Sequence, residues 1–576
     1  MNGFLTLDEV VFTPPLPAIS SLLLTAGFAG WGEWGLRRAG AARDPVRLGA
    51  AFVTAVGIAG AVVHGLAMAH LASIAVLRVI AVLVAAQAWR VWGMVRRFRC
   101  DWLIGITIGL VALAALGPVT DPDSLDYHLG VPLDWLRHGG IVAEPHWLHA
   151  RITGLGEAVN MLGLAAGTDG LGALLQVAGV VVLVSALGSL GATARDRMFG
   201  AMLALTPAVL PLTTAQKPLL LPVAATVAAL ILARDAASAA DFALVFACAG
   251  FAMASKYSLL VSGAAVGLAA IWWAPKKAAA LGWAAMAAAV FVLPVWARNY
   301  WLYGDPLSPF LEPMRRAPDA EVVRFAAYLR DAGEPHTAAG VGRFLLELVA
   351  PHGWGDLQTV LGVGVFSVLL ARATRWTRAA ACAGMAVVLF TIWRGQMAPR
   401  YLLEPYYWCA AMAVMAPWSR LKSVLFYGMA AQTAAVAAMA AAGAALLFPG
   451  ALTAGLREQV MSRSTFGYEE ARWMDRVIPK EETIMAESRV YALFPRPFVI
   501  PECFACGPAP LLDLVRPVDV TGRHAGVLVL NYPPQGRIAD GCALQIIAGP
   551  ERFRYTTRNP FNRAERWLVA MREECR

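Results

Sequence analysis

Stretches of 16 to 25 predominantly apolar residues recur along this chain from Leu16 to Phe448. A helix needs about 20 such residues to cross the hydrocarbon core of a bilayer. Spans are therefore expected near 16–36, 46–66, 71–92, 101–118, 169–191, 197–215, 218–234, 241–256, 258–274, 279–297, 356–372, 378–394, 402–418 and 423–448, about fourteen in all. The joints at Lys217 and Lys256 are so short that either pair can instead be a broken or re-entrant segment. Composition agrees, because 58% of the 576 residues are apolar and 15% charged, where soluble proteins carry roughly 25% charged residues. Disorder, collagen and coiled coil are excluded, and an all-α polytopic membrane protein is the expected fold class.

The formal net charge is +9, yet the basic residues sit in short clusters between apolar runs, where they act as topology signals. No nucleic-acid partner is expected. Arg37, Arg38, Arg43 and Arg47, then Arg96, Arg97 and Arg99, Arg195 and Arg197, Arg234, Lys276 and Lys277, Arg372, Arg375 and Arg378, and Arg420 and Lys422 all fall on one side, taken as cytoplasmic. No basic residue precedes the first run, so a retained first helix is expected rather than a cleaved signal. The other side receives the N-terminal fifteen residues, the loops 119–168 and 298–355, and the tail after Phe448. The chain divides into extra N-terminal spans over 1–99, a transmembrane core over 100–448 and an external domain over 449–576. In that tail, strand-length runs at 526–530 and 543–547 point to a small α/β domain. Cys503, Cys506, Cys542 and Cys575 lie there, where an oxidising compartment permits disulfides.

Directly after the fourth span comes Asp121-Pro-Asp-Ser-Leu-Asp-Tyr-His128. Three carboxylates and a histidine within eight residues stand out in a chain so poor in charge. A helix starting at Pro122 or Ser124 puts Asp123, Asp126 and Tyr127 on one face, with Leu125, Leu129 and Leu136 as an apolar counter-face along the bilayer surface. The plain alternative is that the acids cap the helix and sit in water. Further on, His146, His149 and Glu157 are candidate metal ligands or substrate contacts. Basic residues also stand at external helix ends, against the positive-inside pattern: Lys217, Lys256, Arg298, Arg394 and Arg400. They either snorkel to headgroups or bind the phosphate of a lipid-linked substrate. A carboxylate and a phosphate-binding cationic set on one face allow a definite reaction. The carboxylate takes a proton from an acceptor hydroxyl, the oxygen attacks the anomeric carbon of a sugar, and a polyprenyl phosphate leaves.

At these residues the chain resembles the integral-membrane glycosyltransferases of the GT-C fold, which include the protein O-mannosyltransferases of family 39 and the aminoarabinose transferase of lipid A. The resemblance rests on Asp123-Ser-Leu-Asp-Tyr-His-Leu129 with Pro132 and Gly140-Ile141, then Lys217-Pro218, Lys256-Tyr257, Arg298-Asn299-Tyr300 with Gly304-Asp305-Pro306, and Arg400-Tyr401-Leu402. It departs at Leu219, where relatives carry an acid, and at Ser258 and Leu259. The resemblance implies that Asp123 is the catalytic acid, with Asp121 or Asp126 in reserve. It further implies donor-phosphate ligands among Lys256, Arg298, Arg400 and Lys217, and substrate-loop roles for Tyr127, His128, Glu157, Asn299 and Tyr401. The expected partners are a polyprenyl-phosphate sugar donor, membrane lipids, and a lipid, glycan or protein acceptor, at the external face of a bacterial cytoplasmic membrane. Relatives differ in their need for a divalent cation, so no cofactor is assigned. A polyprenyl-diphosphate ligase would depend instead on Arg324, Arg330 or His336. A transporter would place its ionisable residues near the midplane.

Overall fold

The computed structural model describes residues 4–95, 101–144, 147–314, 322–323, 327, 337–372, 374–394, 397–486, 488–500, 526–533, 542–556 and 563–575. His146, Arg324, Arg330, His336, Cys503 and Cys506 lie outside the described residues, as does the side chain of Arg394. Six helices are long and apolar enough to cross a membrane by length and composition: Pro45–Met68, Ile74–Gly93, Leu171–Ser189, Lys277–Tyr303, Trp376–Trp393 and Arg420–Ala451. Shorter apolar helices, among them Trp102–Ala115, Ala239–Ser255 and Tyr257–Trp273, pack between them. Val79, Val82, Leu83, Leu268, Leu389 and Trp393 point outward uncovered, a belt suited to hydrocarbon rather than water.

The structure does not confirm fourteen spans, and two expected ones differ outright. Near 197–215 the chain forms two short helices, Ala194–Leu203 and Val209–Thr213, separated where Pro207 has no amide proton to continue the ladder. Near 356–372 the described residues form the end of a 3-10 turn, Trp354–Asp356, and the 3-10 helix Gly362–Leu370. At roughly 2 Å per residue it cannot cross a core of about 30 Å.

Breaks of this kind release backbone groups at apolar depth, and buried side chains take them up. The helix Leu220–Asp235 begins after Pro218, and its freed amides at Leu219 and Leu221 both donate to Gln176 Oε1, at 3.1 and 3.2 Å. Gln176 is buried in the span Leu171–Ser189 and donates in turn to the Gly172 carbonyl at 3.1 Å. At the end of the bundle that carries the basic loops, charges are paired off. Lys422 is wholly buried and donates to Asp196 and to the carbonyls of Val414 and Ala416, and Arg47 bonds Asp241, which caps its own helix through Ser238.

The tail forms two helices, Ala454–Ser464 and Tyr468–Val477, and a four-stranded sheet of β1 (Ile484–Ala486), β2 (Val527–Asn531), β3 (Cys542–Thr556) and β4 (Arg563–Cys575). The strand order is β1-β2-β4-β3. The β1/β2 pair is parallel, with Ile484 beside Val527, and the others are antiparallel, with Cys542 in register with Cys575. Alternation places Leu528, Leu530, Val569 and Met571 on one buried face, while Val527, Val529, Leu568 and Ala570 join the cluster that contains Trp473 and Met474. The two expected strand runs are thus β2 and the start of β3.

Replacing Gln176 by Leu strands the Leu221 amide proton among apolar side chains, at about 1–3 kcal/mol, while the Leu219 amide keeps its second acceptor, the Lys217 carbonyl at 2.9 Å. The thermal unfolding midpoint of the purified protein is expected to fall by several degrees, and an unchanged midpoint would remove Gln176 from this role.

Candidate functional site

The acid cluster starts with a cap and a widened turn. Asp121 Oδ2 accepts from the amide and hydroxyl of Ser124, at 3.0 and 2.7 Å, which spends that carboxylate on starting the turn. Residues Ser124–His128 then make one π-helical turn, closed by the Leu129 amide on the Ser124 carbonyl at 2.8 Å. Such turns insert an extra residue and recur at functional sites. Here the insertion rotates Asp126 away from Asp123, so the expected shared face does not form. The expected apolar counter-face is corrected as well, because Leu125, Leu129 and Leu136 are buried in the protein core rather than laid along a bilayer.

Asp123 faces Lys217, with Nζ to Oδ2 at 2.7 Å, and its side chain keeps 45% of its exposure. Lys217 also lies 3.6 Å from Asp121. Burial works against the charged form of Asp123, but the Lys217 ammonium outweighs it, with smaller help from His128 and Arg489. The carboxyl is held well below the usual carboxylate range. Lys217 is fixed by its neighbour Gln216, whose amide donates to the Ser124 hydroxyl at 2.9 Å and whose carbonyl accepts from Asn160 Nδ2 at 3.0 Å. A Cβ on Gly172 would stand 2.5 Å from both Asn160 Oδ1 and Gln216 Oε1, so only glycine leaves room for this lock.

Lys256, at the break after the helix Ala239–Ser255, and Arg400, in the turn Pro399–Leu402, approach the same place. Lys217 and Arg400 are among the charges acting on Lys256, and Asp123 and Tyr127 among the groups acting on Arg400. The Arg400 guanidinium lies over the Tyr401 ring, 4.9 Å from its centroid. Tyr127 stacks on His149 at 4.6 Å and lies 3.9 Å from the His128 ring. His128 is buried, with Nδ1 2.7 Å from Glu157 Oε1. Burial outweighs the pull of Glu157 and holds the imidazole below its ordinary pKa, so it is neutral near pH 7. Its Nε2 has no hydrogen-bond partner among the described residues.

Two expected members of the site do other work. Arg298 is 1% exposed, and its guanidinium donates to the carbonyls of Arg151 and Thr153, to Thr153 Oγ1 and to Asn299 Oδ1. Asn299 donates to the Arg151 carbonyl and the Tyr257 hydroxyl. With its donors committed inside the protein, Arg298 is withdrawn from the phosphate set, and the pair instead pins residues 151–153 to the helix Lys277–Tyr303. Among the described residues no three His, Cys, Asp or Glu side chains stand where they could share a metal ion. His149 Nδ1 is 2.9 Å from Asp126.

Asp126 is the joint between the first loop and the tail. It is 1% exposed and accepts from Trp147 Nε1 at 3.1 Å, His149 Nδ1 at 2.9 Å and Arg489 Nε at 2.9 Å. Sequence reasoning missed Arg489, Asn160 and Gln216, since each acts through a partner distant in the chain. Burial would raise the pKa of Asp126, but His149 and Arg489 outweigh it and hold the carboxyl below its usual range. The stability it lends is therefore present above the unfolded pKa of about 3.9 and lost as pH falls through the lower folded value. Asp126→Asn and Arg489→Gln are each expected to loosen the tail by about 1–3 kcal/mol. Faster tryptic cleavage after residue 449 at neutral pH would show it, and in wild-type protein cleavage of the same region by an acid-active protease such as pepsin should accelerate only as pH falls below about 4. Equal cleavage rates in all three proteins would refute this joint.

No functionally curated protein matches the sequence. Among solved structures, the crystal structure of ArnT from Cupriavidus metallidurans bound to undecaprenyl phosphate is similar at 11% identity and a TM-score of 0.43, over 81% of this chain and 97% of that one. Residues 99–461, more than half of the sequence, match the model of the DUF1420 N-terminal domain, and the chain belongs to that family.

Proposed function

We propose that this protein is an inverting glycosyltransferase of the GT-C kind, moving a sugar from a polyprenyl phosphate to an acceptor hydroxyl at the outer face of a bacterial cytoplasmic membrane. The observation that carries the reading is the half-exposed Asp123 carboxylate set against Lys217 and Arg400, with Lys256 acting beside those two cations. The asymmetry of basic loops supports the outward orientation.

The charges present suit this reaction. Lys217 meets the carboxylates of Asp121 and Asp123, and Lys256 and Arg400 act on one another beside it, where the negative charge of a sugar phosphodiester would relieve their repulsion. During transfer Asp123 takes the proton of the acceptor hydroxyl, the hydroxyl oxygen bonds to the anomeric carbon, and the bond from that carbon to the phosphate oxygen breaks. The leaving phosphate then carries close to two negative charges, while Asp123 has become neutral, so the site with its substrate keeps the same net charge. Cations placed before the reaction stabilise that developing charge without rearrangement. Lys217 serves both ends, since drawing it toward a phosphate relaxes its hold on Asp123 and makes the carboxylate a stronger base. Tyr127, His128 and Tyr401 complete the wall on which the sugar would rest.

The test is transfer of radiolabelled sugar from a panel of polyprenyl-phosphate sugars to membrane acceptors, comparing wild type with Asp123→Asn, Lys256→Gln and Arg400→Gln. Asp123→Asn is expected to lower kcat by about 10²–10⁴-fold, and each cation variant by about 10²–10³-fold. A folded Asp123→Asn protein with wild-type rates would remove Asp123 as the base. Failure of every phosphate donor alongside success of a diphosphate-linked glycan would replace the reading by a ligase.

A further inference from the structure

Two of the tail cysteines meet across a strand pair. β3 and β4 are antiparallel, and their register runs unbroken through Cys542 and Cys575, Ala543 and Glu574, Leu544 and Glu573, Gln545 and Arg572, and Ile546 and Met571. The register shifts come only after Ile546. Packing fixes this end of the hairpin. Met571 is buried and clusters with Leu528, Leu530 and Val569, so a slip of one residue would turn that face away from its core. β2 holds β4 from the other edge, with Leu528 beside Met571, and Arg572 bonds Glu482.

Backbone geometry then limits the distance. Residues directly opposite in an antiparallel pair have Cα atoms about 4.5 Å apart where they share no hydrogen bond and about 5.5 Å apart where they do. A disulfide spans Cα separations of about 4.4–6.8 Å, so both kinds of pair lie within its reach. Opposite residues also share a face of the sheet. Among the described residues Cys248, Cys382 and Cys409 are free, and they belong to the apolar helices Ala239–Ser255, Arg375–Arg394 and Leu403–Met415 rather than to the tail.

We propose that Cys542 and Cys575 form a disulfide that closes the β3–β4 hairpin. The bond rests on the outward orientation of the tail in the reading above, because disulfides persist in oxidising compartments and are rare in the cytoplasm. It forms by exchange with the disulfide of an external thiol oxidase. One cysteine thiolate attacks a sulfur of that oxidant and makes a mixed disulfide, and the second thiolate displaces the oxidant, which leaves as a dithiol. The two protein thiols give up two electrons and two protons, and the oxidant's disulfide takes them. The bond fastens the edge strand β3 to the strand that packs on the helix Tyr468–Val477, since Leu568 and Ala570 of β4 cluster with Trp473 and Met474.

The experiment maps thiols in the full chain. Membranes are denatured in N-ethylmaleimide without reductant and digested with trypsin, which releases residues 538–552 with Cys542 and residues 573–576 with Cys575. Mass spectrometry should find these peptides as one linked species that separates on reduction. Cys542→Ser should leave Cys575 alkylated, and Cys575→Ser should do the same for Cys542. Each single variant should lower the thermal midpoint by several degrees and the double variant no further, since one bond is lost in all three. In parallel, a membrane-impermeant amine reagent added to intact spheroplasts tests whether the exposed Lys480 of the tail lies outside. Alkylation of both peptides with Lys480 labelled would overturn the disulfide and keep the orientation. A link from either cysteine to Cys503 or Cys506 would overturn this pairing. Linked peptides with Lys480 unlabelled would support the bond while removing the outward orientation, and alkylation of both with Lys480 unlabelled would overturn the two together.

Discussion

A carboxylate cannot stay charged out of water unless its lone pairs are taken up, and Asp126 is where this protein meets that demand. Trp147 and His149 come from the first loop and Arg489 from the tail, so one buried charge joins two regions that share no secondary structure. The stacking of Tyr127 on His149 follows from it, as does the placement of Trp147 against Tyr491 and Phe498. With Asp126 turned inward, Asp123 is left facing Lys217 with an accessible carboxylate.

The same economy of polar groups governs the broken helices. Irregular backbone at membrane depth is tolerated only when its amides and carbonyls are answered from within. Gln176 answers two amides beyond Pro218, and Asn160 and Ser124 answer the carbonyl and amide of Gln216. Lys217 sits between those two supports. Its ammonium is therefore delivered to the acids by a rigid kink rather than by a flexible loop.

Much of this was legible in the sequence because charge is scarce in such a chain. Asp123, Lys217, Lys256 and Arg400 stood out at helix ends, and the structure pairs Asp123 with Lys217 and brings Arg400 within Coulombic reach of both Asp123 and Lys256. The sequence could not show which acid faces outward, since the π-turn that separates Asp123 from Asp126 appears only with the surrounding fold. Arg298 misled for a related reason: two of its partners are backbone carbonyls, which no residue type announces. The span expected near 356–372 failed because hydropathy records how apolar a segment is, not whether it coils as an α-helix or as the tighter 3-10 form.

The bond between Arg489 and Asp126 closes a loop of 363 residues. A ribosome makes Asp126 long before Arg489, so during synthesis the carboxylate waits without its partner from the tail while every membrane segment between them is being inserted. The joint closes only after almost the whole chain exists. A protein ending between residues 451 and 489 has all of its membrane-length helices and still lacks this joint, so the first loop is held in place only once the tail has been made.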